Sequence, residues 1–272
     1  MYSAERGFVY PSIQIGHVLV PVLSGMLGVG IVLLMVVPLL RSRRYNLKRS
    51  VAGGAVIAGL VTGIVAIRCL FGGFGQLRLG YGEVAVGWIA AAVGIKAWSD
   101  ARRVSVRQLA DCMAPALALF LMVMGIAGFL AGSDFGRPTD SPLGVTFTNG
   151  LALAWYGTPL GIALQPTQLY ESALSAGIFA FLIVWERRRP PAGTLFLALC
   201  VTYAMGRFFL EFLRGDADRG FLWPLSIPQW FCLATLVVSA ASWVYIRGWP
   251  HAQAMRSHLR GLHHPRPSTQ HH

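Results

Sequence analysis

The sequence predicts an all-α polytopic membrane protein with seven transmembrane helices, its N-terminus outside and its C-terminus in the cytoplasm. Three observations support this fold class: the composition, the apolar runs and the placement of Lys and Arg. Of the 272 residues, 55% are hydrophobic and 12% are charged, and the mean hydropathy is +0.56. Soluble domains carry about twice that charged fraction. The hydrocarbon of a bilayer favours such a composition, because charge is costly there.

Seven apolar runs are long enough, or nearly so, to cross a bilayer as helices, which takes about 20 residues each. The segment before the first run holds both Glu5 and Arg6 and lacks a basic region and a small-residue cleavage site. We therefore expect a retained span rather than a cleaved signal peptide. The predicted spans are 17–40, 51–71, 82–98, 109–132, 168–186, 193–213 and 227–247.

The basic residues alternate between the two sides of the membrane. Sixteen of the 23 Lys and Arg residues follow spans 1, 3, 5 and 7, five lie in the other connections, and Arg68 and Arg207 fall inside spans. The positive-inside rule places the richer side in the cytoplasm. The net charge of +12 is therefore a topology signal, and we expect no nucleic acid as a partner.

One membrane domain accounts for residues 1–250. Residues 251–272 are polar and rich in Pro and His, which predicts a disordered cytoplasmic tail. The histidines of this tail lack a rigid scaffold, and the four cysteines have no metal-ligand spacing. We therefore expect neither a metal site nor a cofactor.

A long connection, from Ser133 to Thr167, separates spans 4 and 5 on the outer side. Its Gly, Pro, Thr and aromatic residues predict short strands or an amphipathic segment along the outer interface. Connections of this length are often functional. In span 2, the spacing of Gly59 and Gly63 favours close packing against a neighbouring helix.

Span 6 contains polar residues at helical spacing. Tyr203, Arg207 and Glu211 recur every four residues and therefore share one helix face, with Arg214 close to it. A charged side chain within a span is costly and normally faces a polar cavity and a partner. This pattern favours a functional site, although an Arg207–Glu211 pair that only fixes packing would also explain part of it.

Span 5 begins with polar residues at the same depth of the membrane. Pro166 is expected in the first helical turn, where its missing N–H costs little. Gln168 and Glu171 then fall on one face near the outer boundary. Because both polar faces lie on the same side of the membrane, we expect one shared outward-facing cavity. Arg137, from the long connection, and His17, at the outer end of span 1, are predicted to reach it.

Several arginines at the level of the lipid headgroups suit a phosphate ligand, because a guanidinium group can hold phosphate through two hydrogen bonds. Phospholipid is the abundant phosphate at this depth. A protein with this arrangement binds a phospholipid, transfers part of one or moves one across the membrane.

Three segments resemble motifs of the prolipoprotein diacylglyceryl transferase family. LQPTQLYES (164–172) is similar to the family's HPxQLYE segment, and YAMGRFFLEFLRGD (203–216) to its Tyr-x-x-x-Arg-x-x-x-Glu-x-x-Arg segment. GFLAGSDFGRPTDSPLGVTF (128–147) resembles the signature region between spans 4 and 5. The resemblance extends over residues 50–230 and agrees with the family's seven spans and outer N-terminus.

This resemblance implies a reaction in the bacterial plasma (inner) membrane. The diacylglyceryl group of phosphatidylglycerol would move to the lipobox cysteine thiol of a prolipoprotein, bound by its signal peptide, and glycerol phosphate would be released. The resemblance implies catalytic roles for Tyr203, Arg207 and Glu211. It also implies phospholipid contacts from Arg137, Gln165, Gln168, Tyr170, Glu171 and Arg214.

The sequence departs from the family pattern at several signature positions. Gln165 stands where the family has the histidine of HPxQLYE, and another family histidine falls on Ala52. The signature's arginine, asparagine and glutamate fall on Gly125, Gly128 and Ser133.

These substitutions leave two main hypotheses open, with a lipid transporter or flippase as a third. One is an active transferase in which His17, or Tyr203 together with Glu211, serves as the base, since six of the seven histidines lie in the tail. The other is a non-catalytic relative that binds phospholipid or a lipoprotein partner as an accessory membrane subunit.

Overall fold

The computed structural model of the chain describes residues 11–15, 18–71, 81–216 and 219–262. Within these residues, seven helices are long and apolar enough to cross a membrane, and their bounds lie within a few residues of the predicted spans. This confirms the helical fold with seven candidate spans. The helices are α1 (Val22–Arg41), α2 (Arg49–Phe71), α3 (Tyr81–Ala101), α4 (Val106–Ala131), α5 (Gly150–Tyr156), α6 (Thr167–Glu186), α7 (Thr194–Leu210) and α8 (Ile227–Leu262).

Three two-stranded antiparallel sheets correct the prediction of an all-α protein. Composition predicted short strands only in the connection between spans 4 and 5. The other strands could not be recognised, because segments this short do not repeat an alternation of apolar and polar residues. One sheet precedes α1 and the other two lie in connections between helices, and each is next to a helix end. The strands are β1 (Ser12–Ile15) with β2 (Val18–Pro21), β3 (Val145–Thr146) with β4 (Ala163–Leu164), and β5 (Phe221–Leu222) with β6 (Leu225–Ser226).

Helix α8 corrects the boundary of the predicted tail. The candidate span within it is Ile227–Ile246, but the helix continues to Leu262. Residues 251–262, which the composition assigned to a disordered tail, are therefore helical. They include good helix formers such as Ala252, Ala254 and Met255. The rest of the tail lies outside the described residues.

Helix α4 lies at the centre of the packing and contacts α1, α6 and α7, while α2 packs on α3 and α7 on α8. One apolar core forms between α1, α2 and α4, and a second between α4, α6 and α7. The first contains Leu34, Val56, Leu109 and Met113, and the second contains Ile178, Leu182, Leu195 and Leu199. The candidate site lies on α6 and α7, which share the second of these cores with α4.

The glycines of α2 allow a close approach to α3, as their spacing predicted. A Cβ atom at Gly63 would lie 2.9 Å from the carbonyl oxygen of Gly87, and one at Gly59 would lie 3.1 Å from the side chain of Ile95. Any side chain at Gly63 would force the two helices apart. The predicted packing role of this pair is confirmed.

Buried carboxylates fix the end of α6 and α7 that is remote from Arg207. Asp111 of α4 accepts hydrogen bonds from the backbone nitrogens of Gly193 (2.6 Å) and Phe196 (2.9 Å), which satisfies the first turn of α7. Glu186, at the end of α6, pairs with Arg41 and accepts the hydroxyl of Tyr45 over 2.5 Å. These contacts hold the helices together at this end, and the candidate site lies at the opposite end of α6 and α7.

The connection between α4 and α6 folds into a compact unit, with β3, α5 and β4 around a small core of Phe135, Phe147 and Leu164. The sequence predicted short strands or an amphipathic segment here, and the β3–β4 pair is the first of these alternatives. The unit runs beside the end of α7, where the backbone nitrogen of Arg137 donates to the carbonyl oxygen of Leu213 over 2.8 Å. Gly215 fits against Gly136 so closely that a Cβ would lie 2.5 Å from that residue's carbonyl oxygen.

Candidate functional site

Arg207 is buried in the last turn of α7 and pairs with the carboxylate of Glu211, four residues further along. Arg207 is 9% exposed and Glu211 2%. Tyr203 lies one turn earlier on the same side, and its hydroxyl reaches the carboxylate that also contacts Arg207. The structure thus brings together the three residues predicted from their spacing.

Glu171, in the first turns of α6, joins this group from the facing helix. Its Oε1 atom accepts the hydroxyl of Tyr203 over 2.5 Å and lies 3.5 Å from Nε of Arg207. Tyr203 therefore bonds to Glu171, whereas the sequence hypothesis paired it with Glu211. The side chain of Glu171 is 22% exposed and that of Glu211 1%, so the two carboxylates have different access to a ligand.

Glu211 is enclosed by hydrogen-bond donors. Its Oε2 atom pairs with Arg207, and its Oε1 atom accepts Nη1 of Arg219 over 3.2 Å and Oγ of Ser226 over 3.0 Å. A carboxylate oxygen accepts about two hydrogen bonds comfortably. Glu211 is therefore committed to the protein, and its role is to hold its three partners.

Arg214 extends the network to the connection between α4 and α6. Its Nη2 atom lies 2.5 Å from Oδ1 of Asp134 and 2.7 Å from Oδ2 of Asp216. Partial desolvation acts to raise the pKa of the Asp134 carboxyl, but the Arg214 charge, with hydrogen bonds from Arg214 and Ser133, outweighs it and lowers the pKa. Arg214 was predicted to contact phosphate, but its guanidinium is already engaged by these two carboxylates.

Arg137, Gln165 and Tyr170 form the rim next to this network. Nε of Arg137 donates to the carbonyl oxygen of Arg214 over 3.2 Å, and its side chain is exposed. Gln165 accepts the Tyr170 hydroxyl over 2.9 Å and donates to Oγ1 of Thr139 over 2.9 Å. Gln165 thus links α6 to the connection that precedes it.

The position of Gln168 differs from the prediction, which placed it on the same surface as Glu171. Its amide nitrogen donates to the carbonyl oxygen of Ser133 over 2.5 Å, and its side chain packs beside Gly128 of α4. Residues three apart differ by about 60° around a helix, which is enough for Gln168 to contact α4 while Glu171 contacts α7. Gln168 therefore joins α6 to α4.

Gly125, where the signature's arginine falls, lies in a tightly packed part of α4. A Cβ atom at Gly125 would lie 2.8 Å from the carbonyl oxygen of Gln168 and 2.9 Å from the backbone nitrogen of Ser172. The arginine that the family carries at this position has no room here. Ala52, where a family histidine falls, is fully buried. His17, the predicted base, lies outside the described residues.

Four residues of the network escaped the sequence analysis: Asp134, Asp216, Arg219 and Ser226. They come from connections that have no helical period, so spacing could not relate them to Arg207. The one signal available was the cluster of alternating charge in RGDADRG (214–220), directly after the polar stripe of α7. Such a run at a helix end is commonly a solvated turn, yet here Arg219 is 6% exposed.

Two polar atoms at the centre of the network have no protein partner among the described residues. They are Nη2 of Arg207 and Oε2 of Glu171. One is a charged donor that suits a phosphate oxygen, and the other is a carboxylate oxygen that can accept a proton. In the described part of the chain, no group of three or more His, Cys, Asp or Glu residues is placed to hold a metal ion.

Fold and site together define an integral membrane protein with a network of arginines and carboxylates at one end of α6 and α7. The chain belongs to the prolipoprotein diacylglyceryl transferase family, whose sequence model matches residues 79–245. That range contains α4, α6, α7 and every residue of the network described above.

Bacterial relatives carry the name phosphatidylglycerol–prolipoprotein diacylglyceryl transferase. The protein of that name from Clostridium tetani is 34% identical over 59% of this chain and 62% of its own length. Transferase 2 of Clostridium perfringens is 29% identical over 78% of this chain and 85% of its own, and the Trichormus variabilis protein 34% over 62% and 60%. The chain therefore matches about three fifths of the length of two of these relatives.

Proposed function

We propose that this protein is a diacylglyceryl transferase that acts on phosphatidylglycerol and a prolipoprotein. The names of its relatives support this reaction, and so does the buried Arg207, whose Nη2 atom has no protein partner among the described residues. The thiol sulfur of the lipobox cysteine attacks the diacylglyceryl carbon that carries the phosphate. The carbon–oxygen bond breaks, glycerol phosphate leaves with the bonding electron pair, and the thiol proton passes to a base.

Arg207 carries the proposal because it is a buried arginine within a span and lies beside a partly exposed carboxylate, that of Glu171. Its guanidinium is oriented by Glu211 and by Glu171, which leaves Nη2 to bind a phosphate oxygen. As the carbon–oxygen bond breaks, negative charge grows on the leaving phosphate. A fixed cation in a site of low dielectric stabilises that charge without reorganisation. Arg137, exposed at the rim, supplies a second contact to phosphate, and Gln165 and Tyr170 line the entrance.

Glu171 is the proposed proton acceptor. Nucleophilic attack needs the thiolate, because the neutral thiol is a poor nucleophile. Glu211 is fully engaged by Arg207, Arg219 and Ser226, whereas Oε2 of Glu171 is available. Tyr203 holds the Glu171 carboxylate in place through its hydroxyl. His17 stays a prediction for this role.

The arrangement in the membrane is part of the proposal. We place the N-terminus and the connection between α4 and α6 on the outer side of the bacterial inner membrane, and the C-terminal residues 251–272 in the cytoplasm. The distribution of Lys and Arg supports this orientation. Residues 1–250 then form one membrane domain, whose site opens toward the side on which a prolipoprotein signal peptide emerges.

The test is a reconstituted reaction. The purified protein in phosphatidylglycerol nanodiscs is mixed with a lipobox peptide, and released glycerol phosphate is measured. We expect release by the wild type, and a loss of about 100- to 1,000-fold in Arg207→Gln, as for removal of one charge-stabilising donor. Arg188→Gln, an exposed arginine beyond the other end of α6, is the matched control and should retain activity.

The same experiment separates the two main hypotheses that the sequence left open. If the wild type releases no glycerol phosphate, transferase activity is rejected. Retained binding of phosphatidylglycerol in that case, lost in Arg207→Gln, would instead establish a non-catalytic lipid-binding relative.

A further inference from the structure

The carboxylate of Glu211 is held from two sides. Arg207 approaches Oε2 from α7, while Arg219 and Ser226 approach Oε1 from the polypeptide that follows α7. The side chain of Glu211 is 1% exposed, so water does not compete for these bonds. A buried charge that loses a partner keeps the cost of its burial. The position of Glu211 therefore depends on all three donors.

Arg219 is itself fixed by backbone groups. It donates to the carbonyl oxygens of Glu211 (2.9 Å), Arg214 (3.2 Å) and Asp216 (2.7 Å). Its guanidinium also lies 5.3 Å from the centre of the Phe221 ring, at the start of β5. Arg219 thus ties the short 3₁₀ turn at Glu211–Leu213 to the β5–β6 hairpin.

Ser226 is fixed in the same manner at the other end of the hairpin. Its backbone nitrogen donates to Oε1 of Gln229 over 2.9 Å, in the first turn of α8. Its side chain is fully buried, and its hydroxyl points at Glu211. Neither Ser226 nor Arg219 is exposed enough to touch a lipid or a peptide directly.

We propose that Arg219 and Ser226 are positioning residues that act on Arg207 through Glu211. They fix the Glu211 carboxylate, the carboxylate orients the Arg207 guanidinium, and Nη2 of Arg207 is thereby aimed at the phosphate of the lipid. This inference rests on the proposed function, because it assigns Arg207 to the phosphate. It extends the site to the β5–β6 hairpin, which has no catalytic group of its own.

A double-mutant cycle tests the route through Glu211. Ser226→Ala should lower kcat/KM for phosphatidylglycerol about 10-fold in the wild-type background, since one hydrogen bond to a charged group is lost. In Glu211→Gln, the same substitution should cost less than about twofold, because the residue through which it acts is already altered. Equal losses in both backgrounds would overturn the proposal.

A charge-retaining variant and a matched control separate positioning from folding. Arg219→Lys keeps a cation beside Glu211 and should retain more activity than Arg219→Met. Both variants lose the several N–H donors of the guanidinium group. Equal activity of the two variants would contradict the proposal. Ser242→Ala removes an exposed hydroxyl of α8 that bonds to the carbonyl oxygen of Val238 over 2.7 Å, and should have no effect. Unfolding temperatures in nanodiscs identify variants that fail to fold.

Failure of the proposed reaction leaves this inference testable. If the wild type releases no glycerol phosphate, the same cycle is measured as the dissociation constant for fluorescent phosphatidylglycerol. Ser226→Ala should then weaken binding several-fold, but only when Glu211 is present. Additive effects on binding would reject the positioning role, independently of whether the protein is an enzyme.

Discussion

The hydroxyl of Tyr203 on α7 donates to the carboxylate of Glu171 on α6 over 2.5 Å. This bond joins the two helices at the point where Arg207 meets the same carboxylate. Tyr203 therefore links the face predicted from the spacing of α7 to Glu171, which the spacing of span 5 placed in the same cavity without pairing it with Tyr203.

Tyr203→Phe should reduce the rate of the reaction by more than the loss of protein stability can explain. The substitution removes one hydrogen bond to a charged group, worth about 1–3 kcal/mol of unfolding free energy, and frees the Glu171 carboxylate to turn. We expect glycerol phosphate release to fall at least about 10-fold, the equivalent of 1.4 kcal/mol. The measurements are initial rates and unfolding temperature in nanodiscs.

Tyr45→Phe is the matched control for that prediction. Tyr45 donates to Glu186 over the same 2.5 Å, at the remote end of α6. It should lower the unfolding temperature similarly and leave the rate per folded molecule unchanged. A parallel loss of rate in both variants would mean that Tyr203 acts only through stability.

Glu171→Gln tests the proposed proton acceptor. An amide cannot accept the thiol proton, so turnover should fall about 100- to 10,000-fold, the usual effect of losing a positioned base. Binding of phosphatidylglycerol should persist, because Arg207 is still held by Glu211. The comparison is single-turnover rate against lipid affinity. A loss of less than about 10-fold would point to another base, for which His17→Ala is the next variant.

Gly125→Ala tests the packing of α4 on α6. The new Cβ atom would lie 2.8–2.9 Å from the backbone of Gln168 and Ser172, so the helices must separate. Overpacking of this kind costs about 1–3 kcal/mol, and the unfolding temperature should drop. Gly177→Ala, in α6 with nothing within 4 Å of the new atom, should be neutral or stabilising. Similar unfolding temperatures for the two variants would contradict the contact.

The Asp134–Arg214 pair should make stability depend on acid pH. The pKa of Asp134 is lowered in the folded protein, so its contribution is present above the pKa of the unfolded chain and is lost as the pH falls through the folded value. Asp134→Asn should therefore lose less stability than the wild type between neutral pH and about pH 3. Because the Asp134 side chain is 49% exposed, we expect a modest difference. Parallel pH profiles of unfolding temperature would exclude this pair as the cause.

The spans and the Tyr203–Arg207–Glu211 face could be predicted because both follow from local periodicity. Hydropathy over about 20 residues identifies a span, and a spacing of four identifies a face. Arg219 and Ser226 could not be predicted, since a turn and a hairpin bring them to Glu211. Gln168 was assigned to the wrong neighbour because spacing gives the angle around α6 but not which helix lies there.

The helical residues 251–262 and the two sheets outside the connection between α4 and α6 were missed for different reasons. Composition alone assigned residues 251–262 to a disordered segment, although their local helix propensity is high enough to continue α8. Strands of two residues, such as β5 and β6, have no pattern to read. The pairing that forms them depends on the turn between Leu222 and Leu225.

The ion-pair network has a consequence for the acid–base balance of lipid binding. Among the described residues, three arginines (Arg207, Arg214 and Arg219) face four carboxylates (Glu171, Glu211, Asp134 and Asp216). An anionic headgroup that enters adds a further negative charge to this balance. Under the proposed function, headgroup binding would be thermodynamically linked to proton uptake by these carboxylates. The heat of binding should then vary with the ionisation enthalpy of the buffer, and equal heats in different buffers would exclude proton uptake.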